Sequence, residues 1–95
     1  MVLAPNRIDV EIEYCAPCEY LPQAVDLTNQ LLSDFQGWIG RLHLVPGSGG
    51  IFRVVIGGEE VFNNERGGPT FPDVESTRDS FRSRLRALTG QQVIG

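Results

Sequence analysis

The chain has 95 residues, 41% of them hydrophobic, and a formal net charge of −4. That is one small domain with a thin margin of core, folded rather than disordered. An acidic balance with no basic cluster before residue 78 argues against nucleic acid, and no apolar run approaches the ~18 residues of a membrane span.

Residues 7–14 read as a strand. Ile8, Val10, Ile12 and Tyr14 alternate with Asp9, Glu11 and Glu13, the period-2 pattern of a strand buried on one face. Residues 18–35 read as a helix. Leu21, Ala24, Val25, Thr28, Leu32 and Phe35 share one face at 3.6 spacing, and Leu27 and Leu31 widen it. Pro17 suits an early helical position, Pro22 should kink or delay the helix, and Gly37 and Gly40 end it. Trp38, between those glycines, covers the end of the core.

Residues 41–45 form a second strand with Leu42 and Leu44 on one face and Arg41 and His43 on the other. Pro46-Gly47-Ser48-Gly49-Gly50 is a turn. Residues 51–56 form a third strand, and Gly57-Gly58 turns the chain into a fourth at 60–63. A polar loop covers 64–70, bracketed by the anchors Phe62 and Phe71. A second helix runs from about Pro72 to Thr89 with Val74, Phe81, Leu85 and Leu88 inward. Thr70 and Asp73 resemble a capping box, Gly90 is the stop, and the helix arginines read as a solvated face. Residues 1–6 and 91–95 are expected to be flexible ends of a single domain spanning 1–95.

The order is β-α-β-β-β-α. Strands that flank a helix run parallel in a right-handed unit. The expected fold is therefore α/β, a minimal thioredoxin-like two-layer sandwich. Its mixed four-stranded sheet has the order 2-1-3-4, with both helices on one face. The acids of strand 1 place the other face in water. There Asp9, Glu11 and Glu13 should lie between Arg41 and His43 on one side and Arg53 on the other. His43 then reads as a surface charge partner rather than a catalytic group.

Both cysteines sit in Tyr14-Cys15-Ala16-Pro17-Cys18, at a strand-to-helix junction. That spacing is a signature of thiol–disulfide chemistry. Cys15 at the mouth of the helix would be favoured as thiolate by the dipole, with Cys18 one turn further in to resolve a mixed disulfide. Pro17 stiffens the ring between them, while Glu13 and Glu19 oppose ionisation. Three duller readings compete. A structural disulfide over so short a loop stabilises little. A zinc site needs about four ligands, and only His43 could join the pair without carboxylates or a second subunit. Free cysteines can also be inert core residues.

The chain resembles the selenoprotein W-related (Rdx; SelT/SelW/SelH) family in its bacterial cysteine-containing form. The resemblance rests on Tyr14-Cys15-x-x-Cys18 at the end of strand 1 and on Leu44-Val45-Pro46-Gly47-Ser48-Gly49-Gly50-Ile51-Phe52-Arg53-Val54. It continues through Asn64-Glu65-Arg66-Gly67-Gly68 and Phe71-Pro72, so it covers about residues 8–88. Arg53 stands where the family has glutamate, and a thioredoxin-type proline just before the third strand is missing. The resemblance implies a thiol–disulfide oxidoreductase in redox homeostasis with Cys15 and Cys18 as catalytic residues. In selenoprotein members position 18 holds selenocysteine. Thioredoxin logic makes Cys15 the nucleophile, whereas the selenoprotein pattern points to Cys18. Gly49 and Gly50, with Ile51 and Pro17, would form the docking edge for a partner; the glycines equally suit a turn that needs positive φ, and the two roles are compatible.

No cofactor or metal is expected. The expected partners are protein thiols or low-molecular-weight thiols such as glutathione, without nucleic acid or membrane. The exposed edge of strand 4 is a place where two copies could pair. Met1 to Asn6 lacks a signal-peptide pattern, so the expected location is cytoplasmic. The alternative functions are a redox-regulated protein-binding module with little turnover and a metal or thiol carrier.

Overall fold

The alternating run after Arg7 forms β1 (Ile8–Cys15), and its apolar side chains all enter the core. The computed structural model describes residues 7–89, so the expected flexible ends and the Gly90 stop lie outside the described residues. After β1 come α1 (Leu21–Phe35), β2 (Ile39–Gly47), β3 (Phe52–Ile56) and β4 (Glu59–Asn63). A 3₁₀ turn (Asn64–Arg66) and α2 (Val74–Thr89) complete the order. The sheet order is β2-β1-β3-β4, with β1 parallel to β2 and antiparallel to β3. This is the expected mixed α/β sheet, with β2 and β4 at its edges.

Register decides which residues share a face. Val10 lies beside Leu42 and Ile56, and Ile12 beside Leu44 and Val54. Those side chains meet Ala24, Leu27, Leu31 and Phe35 from α1 and Phe81 and Leu85 from α2 in one core. Both helices therefore cover the same face. They touch where Phe35 and Phe81 stack, ring centroids 4.3 Å apart. Such a pair contributes ~0.5–1.5 kcal/mol beyond the area it buries. No helix among the described residues is long and apolar enough to cross a membrane.

The opposite face carries charge. The Arg53 guanidinium lies 3.3 Å from Glu11, 3.7 Å from Glu13 and 2.7 Å from Glu60. The expected partnership of Arg53 with the β1 acids is present. Arg41 and His43 lie in register with Asp9 and Glu11, yet no ion pair joins them among the described residues. Glu60 also receives Arg66 at 2.6 Å. Hydrogen bonds from Arg53 and then Arg66 lower the Glu60 carboxyl from its ordinary 4.5 to about 2.

Several local expectations are corrected. The first helix begins at Leu21 rather than residue 18, because Ala16 to Glu19 form a turn and Glu19 has φ +62°, which no helix accepts. Pro22 sits in the first turn of α1, where its missing N–H costs nothing. The buried stripe of α1 is Ala24, Leu27, Leu31 and Phe35, leaving Leu21, Val25 and Leu32 exposed. Gly40 belongs to β2 and does not end the helix. In α2, Thr77 is buried and Leu88 is exposed. Asp73 itself caps α2, accepting from the Ser76 N–H at 3.1 Å, so no Thr70 capping box is needed.

The α2 arginines do more than face water. Arg78 pairs with Asp34 and Glu75. Arg84 donates to the Gly57 carbonyl at 2.8 Å, and the Arg82 guanidinium lies 5.5 Å from the Phe35 ring centroid. Trp38 closes the core at the end of the sheet remote from the cysteines, where its carbonyl accepts from the Ile8 N–H at 2.8 Å.

Candidate functional site

Cys15 is the last residue of β1 and Cys18 lies in the following turn; a disulfide joins them, S–S 2.08 Å and Cα–Cα 5.2 Å. Neither cysteine is in a helix. The expectation that Cys15 opens the first helix is therefore corrected, and with it the idea that the helix dipole acts directly on that sulfur. The residues differ sharply in access. Cys15 is 0% exposed, whereas Ala16, Pro17, Cys18 and Glu19 are all exposed.

The turn is tied to its own stem. The Glu19 N–H donates to the Ala16 carbonyl at 3.0 Å and the Tyr20 N–H to the Cys15 carbonyl at 3.2 Å. The Tyr20 ring packs edge-on against Phe71 at 4.9 Å, and Phe71 packs edge-on against Phe52 at 5.1 Å. The turn therefore rests on an aromatic ladder that reaches the core.

The glycine-rich loop meets β1 at the same end of the sheet. The Cys15 N–H donates to the Ile51 carbonyl at 2.9 Å, and the Ala16 N–H to the Gly47 carbonyl at 3.0 Å. Gly47 is required by close approach: a Cβ there would come within 2.9 Å of the Ile51 side chain. Gly49 and Gly50 have φ of +73° and +82°, so the turn reading of these glycines holds, and a Cβ on either would meet open space. Ile51 is buried rather than presented to solvent.

Asn64 escapes sequence reasoning. Its side-chain amide donates to the Gly50 carbonyl at 2.7 Å and accepts from the Phe52 N–H at 2.9 Å. It thus satisfies the backbone on both sides of Ile51, the residue whose carbonyl holds Cys15. One amide extends the β3–β4 ladder by a rung and sets the loop against the disulfide. Its signal in the sequence was faint, an Asn-Asn pair directly after a strand. The Gly50 carbonyl is consequently engaged, which leaves Ser48 and Gly49 as the exposed part of the loop.

His43 is exposed, in register with Glu11 and four residues before the end of β2. It does not join the cysteines. Among the described residues no group of three or more His, Cys, Asp or Glu is gathered as metal ligands would be. An exposed sulfur bonded to a buried one, on a turn at the end of a sheet, is an arrangement suited to electron-pair exchange with an incoming thiol.

Residues 9–83 match the model of the Rdx family. The chain is similar to the crystal structure of a selenoprotein W-related protein from Vibrio cholerae, with TM-score 0.79 and 25% identity over 83% of this chain and 98% of that one. It is also similar to a Bordetella parapertussis protein, with TM-score 0.76 and 33% identity over 82% of this chain and 98% of that one. No curated protein matches it. A redox-spaced cysteine pair, a thioredoxin-like sheet and a family match across most of the length agree: the chain belongs to the Rdx family.

Proposed function

We propose that this protein is a thiol–disulfide oxidoreductase whose partner-facing sulfur is Cys18. The observation that carries the reading is the unequal access of the two bonded cysteines, Cys15 buried and Cys18 exposed. Family membership supports a redox role for the pair.

In the oxidised protein a partner thiolate attacks Cys18 Sγ. The Cys15–Cys18 bond breaks, and Cys15 leaves as a thiolate carrying the electron pair. A second partner thiolate then attacks the partner sulfur of the mixed disulfide, releasing Cys18. The partner dithiol loses two electrons and two protons in becoming a disulfide, and the pair gains them. In the reverse direction the Cys18 thiolate opens a partner disulfide and Cys15 resolves the intermediate. Cys15 is therefore the resolving residue, the reverse of the thioredoxin-style assignment. Protein thiols or small thiols are the partners this chemistry accepts, and redox homeostasis is the role it serves.

Equilibration in dithiol–disulfide buffers of graded potential tests this. A single two-electron transition assigned to Cys15–Cys18, with turnover of a disulfide substrate, is expected. Failure of the pair to close under mild oxidant would sink the reading. A redox-regulated binding module is the second reading, favoured by the exposed Leu21, Val25 and Leu32 on α1. Partner binding that tracks redox state without turnover would select it.

A further inference from the structure

The strand β2 is an edge of the sheet, and its outer side is open. Along a strand the N–H and C=O of one residue point the same way, and the direction alternates from residue to residue. The Ala16 N–H donates to the Gly47 carbonyl, so Gly47 and, by alternation, Val45, His43 and Arg41 turn these groups to β1. Leu42 and Leu44 therefore turn theirs away from the sheet. Pro46 occupies the next outward position, where it has no N–H to leave unpaired, as suits an edge.

The core runs out on the same side. Leu42 and Leu44 pack against it yet stay half-buried. Above them α1 packs on both β1 and β2. One flank of α1 meets α2, where Gln30 and Asp34 take Arg78. The other flank carries Leu21, Val25 and Leu32, which are 44%, 47% and 37% exposed. Helical spacing turns that flank away from α2 and toward the free edge of β2. An unpaired strand edge and an apolar helix flank thus lie side by side. The opposite edge is different. Strand β4 has five residues, and a register shift interrupts its pairing with β3. Short, irregular strands are how sheets blunt an edge.

One occupant fits strand edge and helix flank together. A second β2, antiparallel and with the two-fold axis at His43, sets Leu42 against the partner's Leu44 and Leu44 against the partner's Leu42. Each of these pairs exchanges both of its outward hydrogen bonds. Since α1 lies over the boundary of β1 and β2, it stands one strand spacing from that axis. The two α1 helices come to lie about 10 Å apart, a distance at which helices pack. Their apolar flanks then face each other. A lone strand from another protein would fill the edge and leave the flank bare. Charge permits the self-pairing: the chain is acidic at −4, but β2 has no acid, and Asp26 and Asp34 lie round α1 from the flank.

We propose that this protein forms a two-fold dimer through β2 and α1, joining two four-stranded sheets into one of eight. The pairing edge is β2 rather than the β4 edge that the sequence suggests. Because the copies run antiparallel, their redox turns lie at opposite ends of the joined sheet, and Cys18 stays open in both. The dimer does not depend on the oxidoreductase reading.

Sedimentation velocity over a concentration series tests it, with twice the 10.5 kDa chain mass expected as concentration rises. Val25→Glu places two carboxylates at the helix contact and should weaken association more than about tenfold. Leu88→Glu, at a similarly exposed position on α2, should leave association unchanged. A monomer at millimolar concentration overturns the proposal, as does a dimer that Leu88→Glu breaks and Val25→Glu does not. Amide hydrogen exchange on the unaltered protein gives a second reading that needs no variant to fold. The Leu42 and Leu44 amides should be protected in concentrated protein and exchange freely on dilution. Free exchange of both in a sample that sediments as a dimer would place the contact elsewhere and overturn the proposal.

Discussion

Two loops meet at the disulfide, and they are held by different means. The turn from Ala16 to Glu19 is closed by the Cys15–Cys18 bond together with backbone hydrogen bonds at its stem, and it contains a non-glycine residue at positive φ, Glu19. The loop from Gly47 to Ile51 is fixed by Asn64 and by hydrogen bonds from the Cys15 and Ala16 N–H groups, none of which involves sulfur. Reduction therefore removes one covalent constraint from the turn and none from the loop.

The largest effect that would break this comparison lies at the cysteines. Cys18→Ser should abolish exchange with a partner disulfide, whereas Cys15→Ser should retain the first attack and lose only resolution. Stopped-flow release of the leaving thiol distinguishes the two half-reactions. Next comes the loop. Asn64→Ala leaves the buried Phe52 N–H without its acceptor and should cost about 1–3 kcal/mol in denaturant unfolding. The loss should be equal in oxidised and reduced protein. Asn64→Asp, which keeps the acceptor and loses the donor to Gly50, should fall between.

Gly50→Ala should cost about 1–2 kcal/mol, because φ of +82° is strained for alanine while its Cβ meets nothing. Smaller still, Glu19→Gly should stabilise the oxidised form by up to about 1 kcal/mol, since glycine adopts φ +62° freely at some entropic cost. Reduced protein should change less, which lowers the reduction potential slightly. A Glu19→Gly effect independent of redox state would contradict the contrast between the loops.

The smallest effect lies on the charged face beyond both loops. The folded Glu60 carboxyl is lowered to about 2 from an ordinary 4.5. A lowered folded value means that its contribution is complete above pH 4.5 and fades as pH falls toward 2. Glu60→Gln should flatten the acid limb of a stability–pH curve in that window, with a small loss of stability at neutral pH and little change near pH 2, as suits ion pairs close to the surface.

The same contrast explains what could be read in advance. Strand β1 was legible because Asp9, Glu11 and Glu13 alternate with side chains that must be buried, and a one-residue slip would bury three carboxylates. The order of elements followed from that strand and from the glycine turns. The start of α1 was not legible, because Pro17 suits a helix as well as a turn. Glu19's positive φ belongs to the closed disulfide turn, not to any propensity of glutamate. The face of α1 was ambiguous for a different reason. The apolar arc of α1 is wider than the stripe it buries, and burial falls on Ala24, Leu27, Leu31 and Phe35, the side on which Phe35 stacks against Phe81 of α2. Asn64 binds backbone groups twelve and fourteen residues away, a pairing no local pattern announces. At the site, the cysteine pair was legible but the roles of its members were not, since access depends on which sulfur the strand carries into the core.

The most direct test is to locate the mixed disulfide. Reduced Cys15→Ser and Cys18→Ser variants are reacted with a peptide disulfide, quenched with acid and mapped by mass spectrometry. The account predicts a stable adduct on Cys18 in the Cys15→Ser protein and little or none on Cys15 in the Cys18→Ser protein. Adduct accumulating on Cys15, with Cys18 inert, would contradict it.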